Sequence, residues 1–368
     1  MSKARSKPRS KARSKAGPNT KDADTASVAV LGSSGFAGGE LLRILDGHPL
    51  VEVVCVGAFT QTGRQVGSLY PGLSPGLAEK SFVQNESAAE VDADLLVSSL
   101  PHTKSMQILS PARQSKVIDL GGDFRLNAPE QYRQWYGEEH FAPESLGDWV
   151  YGLTELNRDR ISASARVANP GCYAAAALLC LAPLLAAGLI EGASMHVDAK
   201  SGVSGAGRAA GESFDFTAAN ENVRPYTPTL HKHIAEIEQE LAMLAGSEVR
   251  VSFVPHLVPM TRGVSVTCVV EASSGITQEG LLDALSQRYA TEPFVRVLDA
   301  NDLPETRRMT GTNAAEVTAR LDERTNKVIA FAALDNLGKG AAGQAVQNLN
   351  VMLGFEETLG LATAGLLP

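Results

Sequence analysis

The feature that most constrains this chain is a short β-branched run that breaks into glycines and resumes as an amphipathic helix. Ser27-Val28-Ala29-Val30-Leu31 leads into Gly32-Ser33-Ser34-Gly35-Phe36-Ala37-Gly38-Gly39 and then Glu40-Leu41-Leu42-Arg43-Ile44-Leu45. Strand, glycine turn and helix in that order form the first half of a dinucleotide-binding βαβ unit. Glycine lets the backbone approach a pyrophosphate, and the helix N-terminus favours its charge. The glycines at 32, 35 and 38 are spaced GxxGxxG rather than GxGxxG. A tight turn with no ligand would use the same residues, so the flanks carry the reading. They predict a nucleotide cradle at Gly32, Ser34, Gly35, Phe36, Ala37 and Gly38.

The next strand, Val51 to Ala58, is followed by Phe59-Thr60-Gln61-Thr62-Gly63-Arg64. An acid near this strand end would hold the ribose 2′-hydroxyl of NAD. None is present, and Thr60, Thr62 and Arg64 are suited to a 2′-phosphate, so the expected cofactor is NADP. Strand-like runs at 94–100, 116–120 and 166–168 alternate with helical pieces, as in a doubly wound, mostly parallel sheet. After residue 190 the texture changes. Runs at 195–200, 249–254 and 264–270, with a helix at 277–289, predict a second, α+β unit. The segment 340–353 reads as a helix packing back on the first unit. The expected organisation is a Rossmann-type NADP-binding domain from residues 28–171 and 336–368, and a catalytic and oligomerisation domain from 172–335.

Residues 1–27 carry eight Lys or Arg against two Asp and no Leu, Ile or Phe, so they predict a disordered basic tail. Without it the body holds 25 basic and 39 acidic residues, which argues against nucleic acid as the main partner. The tail lacks the apolar core of a secretory signal, and no run approaches the roughly 18 apolar residues of a membrane span. Four scattered cysteines, with no CxxC pair, suggest neither a disulfide framework nor a metal site. A soluble protein of the reducing cytoplasm is expected.

Among those cysteines, Cys172 stands apart. In Asn169-Pro170-Gly171-Cys172-Tyr173 it follows a Pro-Gly turn and precedes an alanine-leucine run. At the first turn of a helix, unpaired N–H groups and the macrodipole favour a thiolate, the nucleophilic form. The competing reading is a small buried hydrophobe. A cysteine nucleophile needs a proton acceptor, and His231 and His233 in Thr229-Leu230-His231-Lys232-His233 are the best placed, with His256 a third option. Their His-x-His spacing, without a third ligand, does not suggest a metal. Three loops offer anion donors: Ser201-Gly202-Val203-Ser204-Gly205-Ala206-Gly207-Arg208, Gly121-Gly122-Asp123-Phe124-Arg125 and Asp335 to Gly343. Each could equally be only a turn.

Nine blocks in order, VAVLGSSGFAGGELLRIL, SSLPH, VIDLGGDFRL, YGLTELNR, NPGCY, SGVSGAGR, HKHIAEI, VPHLVPMTRG and DNLGKGAAGQAVQNLNVM, resemble the N-acetyl-gamma-glutamyl-phosphate reductases of arginine biosynthesis, relatives of aspartate-semialdehyde dehydrogenase. They span about residues 28–355. The resemblance implies NADPH-dependent reduction of an acyl phosphate to a semialdehyde, with Cys172 forming a thioester, His233 shuttling the proton and His231 contacting substrate or oxyanion, the two histidines being interchangeable at this level. It adds Pro101, Asn336 and Lys339 to the cofactor contacts. It implies substrate contacts from Arg125, Asn169, Ser201, Gly202, Arg208, Glu236 and Arg262, with the arginines divided between phosphate and carboxylate, and a homodimer or homotetramer.

Departures from the family pattern are modest: Lys232 where Arg is frequent, Ala235 where Pro is, and Gly121-Gly122 where Ser-Ala is common. Two rival readings remain. One is the homologous carrier-protein-linked aminoadipyl-phosphate reductase of lysine biosynthesis, against which SGVSGAGR stands. The other is a non-catalytic NADP-sensing relative, against which intact Cys172, His231, His233 and glycine loop stand.

Overall fold

A computed structural model describes residues 25–112, 114–208, 211 and 216–366. The first six strands are β1 (Ala26–Leu31), β2 (Val51–Val56), β3 (Leu95–Ser98), β4 (Lys116–Asp119), β5 (Val150–Tyr151) and β6 (Arg166–Ala168). They form one parallel sheet in the order β2-β1-β3-β4-β6-β5. β1, β3 and β4 read as nearly unbroken apolar runs because both faces are covered, as a parallel sheet requires. One covering layer includes Leu41, Leu42 and Leu45 of the helix Phe36–Asp46 and Val346 and Leu349 of the C-terminal helix Gly343–Leu353.

The remaining strands are β7 (Ile190–Ser201), β8 (Arg224–Pro225), β9 (Val251–Leu257), β10 (Val264–Ala272), β11 (Val295–Val297), β12 (Ala315–Asp322) and β13 (Lys327–Leu334). They make a mixed sheet in the order β11-β12-β13-β10-β7-β9-β8. Burial alternates along β10, so one face is core and the other half-open, the pattern of a sheet packed on one side. The packed side receives the helix Cys172–Ala186, which is apolar all round and buried almost throughout. Its alanines let it sit close to the sheet, flanked by helices His233–Ala245 and Gln278–Tyr289.

Some boundaries differ from the sequence reading. The first strand begins at Ala26, inside the expected tail, and residues 1–24 of that tail lie outside the described residues. The expected helix 340–353 is two pieces, a π-helical turn Gly338–Ala342 and an α-helix from Gly343. The turn is wound wide because Asp335 Oδ1 accepts the N–H groups of Leu337 and Gly338 and its carbonyl accepts that of Gly340. Among the described residues no helix is long and apolar enough to cross a membrane.

Candidate active site

The glycine loop sits at the C-terminal end of β1. Gly32 has φ +66°, and a Cβ there would meet the Ser99 carbonyl at 2.7 Å; a Cβ on Gly38 would meet the Gly32 carbonyl at 2.5 Å. The two close the turn and seat the helix, while Gly35 has ordinary room. Helix Phe36–Asp46 has no side-chain cap, so its first N–H groups are left for a ligand anion. This cradle fits a dinucleotide pyrophosphate. Tyr70 braces it from outside, donating to the Ser33 and Gly35 carbonyls, and Asn85 Oδ1 accepts the Gly32 N–H. Thr60 and Arg64 lie exposed on the loop after β2, beside this turn through the Ser33 to Gly57 hydrogen bond. Pro101 lines the cleft after β3.

Cys172 opens its helix at the seam between the sheets, as expected, but the expected ionised thiol is not what the surroundings favour. Burial pushes the thiol up to about 11; Arg125 pulls it down and Glu236 adds to the rise. Desolvation outweighs the helix terminus here. Glu236 is wholly buried and accepts from Arg125 Nη1 (2.9 Å), Tyr151 Oη (3.0 Å) and the Gly171 N–H (2.9 Å). It fixes the residue before the thiol. The His233 ring lies where a Cβ on Gly171 would be, its Nε2 2.2 Å from that position.

Cys172, His231 and His233 line one pocket of about 310 Å³ with Tyr173, Ser201 and Tyr226. A second cleft, of about 460 Å³, shares Tyr226, His231 and His233 and extends over the ends of β3 and β4 to Arg125. Burial lowers both histidines to about 3, with His233 adding to the effect on His231, and Arg125 and Lys232 to that on His233. Both rings are neutral near pH 7, and the same burial opposes their protonation. The His233 N–H donates to His231 Nδ1 at 3.2 Å, and His233 Nδ1 is buried with no partner. His256 sits apart, on β9 beside Asp198.

Several expected contacts are placed elsewhere, each for a packing reason. Lys339 is wholly buried and donates to Glu155 Oε1 and Gln347 Oε1 at 2.6 Å. Asn336 spends its amide on Ser204 Oγ and the Gly263 N–H, holding the 201–208 loop. Asn169 is buried against Ala341 and Asn348 and sets the turn before Cys172. Glu236 acts through Gly171 rather than facing the pocket.

Arg262 pairs with Glu40 of the glycine-loop helix and with Asp335, joining the two domains. Arg208 lies over Phe36 at 4.8 Å and donates to the Ser34 carbonyl, which puts it with the nucleotide cradle rather than beside Cys172. The 201–208 loop is also no anion nest, since the N–H groups of Gly202, Val203, Ser204, Gly205 and Gly207 all bond to carbonyls. Ser201 and Gly202 do line the Cys172 pocket, and Arg125 the wider cleft.

Sequence reasoning missed Tyr70, Asn85, Tyr151, Glu40 and Tyr226. Each reaches a partner 30 or more positions away. Glu40 alone carried a signal, as an acid on the buried side of an amphipathic helix.

Comparison with known proteins gives the family and the fold. The model of the semialdehyde dehydrogenase NAD binding domain matches residues 27–164, and that of the semialdehyde dehydrogenase dimerisation domain matches 172–336. Aspartate semialdehyde dehydrogenase II from Vibrio cholerae shares the fold, with TM-score 0.68 and 20% identity over 90% of this chain and 99% of that one. N-acetyl-gamma-glutamyl-phosphate reductases from Symbiobacterium thermophilum and Pelotomaculum thermopropionicum are 44% and 42% identical, each over 93% of this chain and 99% of theirs. A cysteine and two neutral histidines in one pocket beside a nucleotide cradle, on a chain this similar to those reductases, make it a member of the N-acetyl-gamma-glutamyl-phosphate reductase family of oxidoreductases.

Proposed function

We propose that this protein reduces N-acetyl-gamma-glutamyl phosphate to N-acetylglutamate 5-semialdehyde with NADPH, releasing phosphate, in the arginine pathway of the cytoplasm. The observation that carries this is the shared pocket of Cys172, His231 and His233 at the seam next to the glycine cradle. A neutral His233 takes the Cys172 proton as the sulfur attacks the acyl carbon; the C–S bond forms, the C–O bond breaks, and phosphate leaves with the electron pair. The reduced nicotinamide supplies hydride. The resulting tetrahedral alkoxide collapses to the aldehyde, the C–S bond breaks, and His233 returns the proton to sulfur. His231, packed against Tyr173, contacts the substrate oxygen. Ser34 to Ala37 hold the pyrophosphate, and Thr60 and Arg64 the 2′-phosphate.

The test is the reverse assay, with N-acetylglutamate semialdehyde, NADP and phosphate, run beside an aminoadipate semialdehyde analogue and beside NAD. Turnover is expected with the first substrate and NADP. Preference for the aminoadipate analogue would shift the assignment to the lysine-pathway reductase, and preference for NAD would remove the role of Thr60 and Arg64.

The chain acts as a homo-oligomer in this reading. The sheet face turned away from the Cys172 helix leaves Val254, Val269, Ile329 and Phe331 only half-buried, a surface suited to a second copy. Phe331→Glu is expected to lower the mass measured by light scattering to that of the monomer; an unchanged mass would exclude this face.

A further inference from the structure

An acidic cleft of about 510 Å³ opens at the N-terminal ends of β1, β3 and β4, the edge of the parallel sheet opposite the glycine cradle. Glu90, Asp92 and Asp94 line it, and among the described residues no basic side chain does. Gln114 lines it as well and is only 6% exposed. Its amide nitrogen donates to the Ala89 and Val91 carbonyls at 2.8 and 2.7 Å, which fixes the orientation of the amide. Its Oε1 is left buried with no partner. A buried acceptor without a donor costs free energy until one reaches it. The carboxylates and the amide oxygen therefore call for the same occupant, a cation that carries N–H groups.

The chain supplies such cations at the rim of the cleft. Residues 1–24, which lie outside the described residues, carry eight Lys or Arg against Asp22 and Asp24 and join the described chain at Thr25. Two residues on, Ser27 lines the cleft, and its N–H and hydroxyl donate to Asp94 Oδ2 at 2.8 and 2.7 Å. The root of the basic segment is thereby fastened to the acidic site. Lys21 is six positions from Ser27 and Lys15 twelve, at most about 21 and 43 Å of extended chain, so both can enter the cleft. Exposed ion pairs are weak singly. A short tether offsets this by holding the cations at an effective concentration on the order of millimolar.

We propose that residues 1–24 are an interaction arm for the chain's own acidic cleft, pairing Lys21 and the basic residues before it with Glu90 and Asp92 and bringing an N–H donor to Gln114 Oε1. The docked arm lies on the edge of the sheet away from the glycine cradle and leaves that cradle open. Its charge offsets part of a body with 14 more acidic than basic residues, and its cations are not free for a polyanion.

The experiment uses the whole chain, as wild type and as the double variant Glu90→Gln with Asp92→Asn, which spares Asp94 and its hold on Ser27. Trypsin cleavage after Lys15 and Lys21 at 50 mM salt is expected to be at least about fivefold faster in the variant, and to speed up similarly in wild type at 1 M salt, where the screening length is about 3 Å. Carbodiimide cross-linking of mixed 15N-labelled and unlabelled wild type locates the contact, with links from Lys21 or Lys15 to Glu90 or Asp92 expected within one chain. Equal cleavage rates in the two proteins overturn the proposal. So do links confined to pairs of labelled and unlabelled chains, which would seat the arm on a second copy, and links spread over acids outside the cleft.

Discussion

At the residue scale, the chemistry turns on a thiol whose surroundings oppose ionisation and two imidazoles whose surroundings oppose protonation. With Cys172 pushed up to about 11 and the histidines down to about 3, the resting pair is neutral thiol and neutral imidazole, not an ion pair. Alkylation of Cys172 by iodoacetamide should therefore still climb about tenfold per pH unit between pH 9 and 10, whereas an ordinary thiol is half-ionised near about 8.5 and levels over that interval. A plateau below pH 7 would show a preformed thiolate. Cys172→Ser should abolish turnover and leave NADPH binding nearly intact, as fluorescence titration would show; substantial activity would refute covalent catalysis. Glu236→Gln keeps the shape but removes the charge that holds Arg125 and the Gly171 N–H, and kcat should fall by about tenfold to a hundredfold. A kcat equal to wild type would remove Glu236 from the positioning of Cys172.

At the scale of elements, the active site depends on two turns, each with a glycine that leaves no room for a side chain. The π-helical turn Gly338–Ala342 presses Gly340 against Cys172, where a Cβ would lie 2.7 Å from the Cys172 Cβ. Its back is held by the buried Lys339–Glu155 pair. Gly340→Ala should displace the thiol and lower kcat while the dinucleotide KM stays near wild type. Gly38→Ala, whose Cβ would meet the Gly32 carbonyl, should do the opposite and raise the dinucleotide KM first. Steady-state kinetics on both variants separates the two elements, and identical effects would contradict the division. The glycine motif announced the second turn in the sequence. The first was read only as donors at a helix start, because its winding depends on where Asp335 directs its carboxylate.

At the scale of the whole molecule, Arg262 joins the domains by pairing with Glu40 and Asp335. Although burial opposes it, hydrogen bonds from Arg43 and Arg262 hold the Glu40 carboxyl down at about 2. A depressed carboxyl adds stability above its ordinary value, and this is lost as pH falls from about 4.5 to about 2. Glu40→Gln should lower unfolding stability near pH 7 by about 2 kcal/mol, a deficit that shrinks as pH falls through that window. Urea unfolding at several pH values measures it, and a deficit independent of pH would show that the pair is not the cause.

The sequence by itself determined the order of elements, the glycine cradle, the helix-start cysteine and the neighbouring histidines, because each is written in residues close together in the chain. Periodicity, turn chemistry and helix ends act over a few positions, so they can be read locally. Only the tertiary structure decided which polar and charged residues are taken up by partners within the protein. Lys339, Asn336, Asn169, Glu236 and Arg262 carry the right chemistry for a site, yet burial and distant partners use them as struts. Lys232, which its local sequence marked only as a variant between two histidines, has no carboxylate partner among the described residues and meets His102 and Tyr136 of the other domain. Charge pairing and desolvation are set by what packs around a group, and those neighbours come from far along the chain.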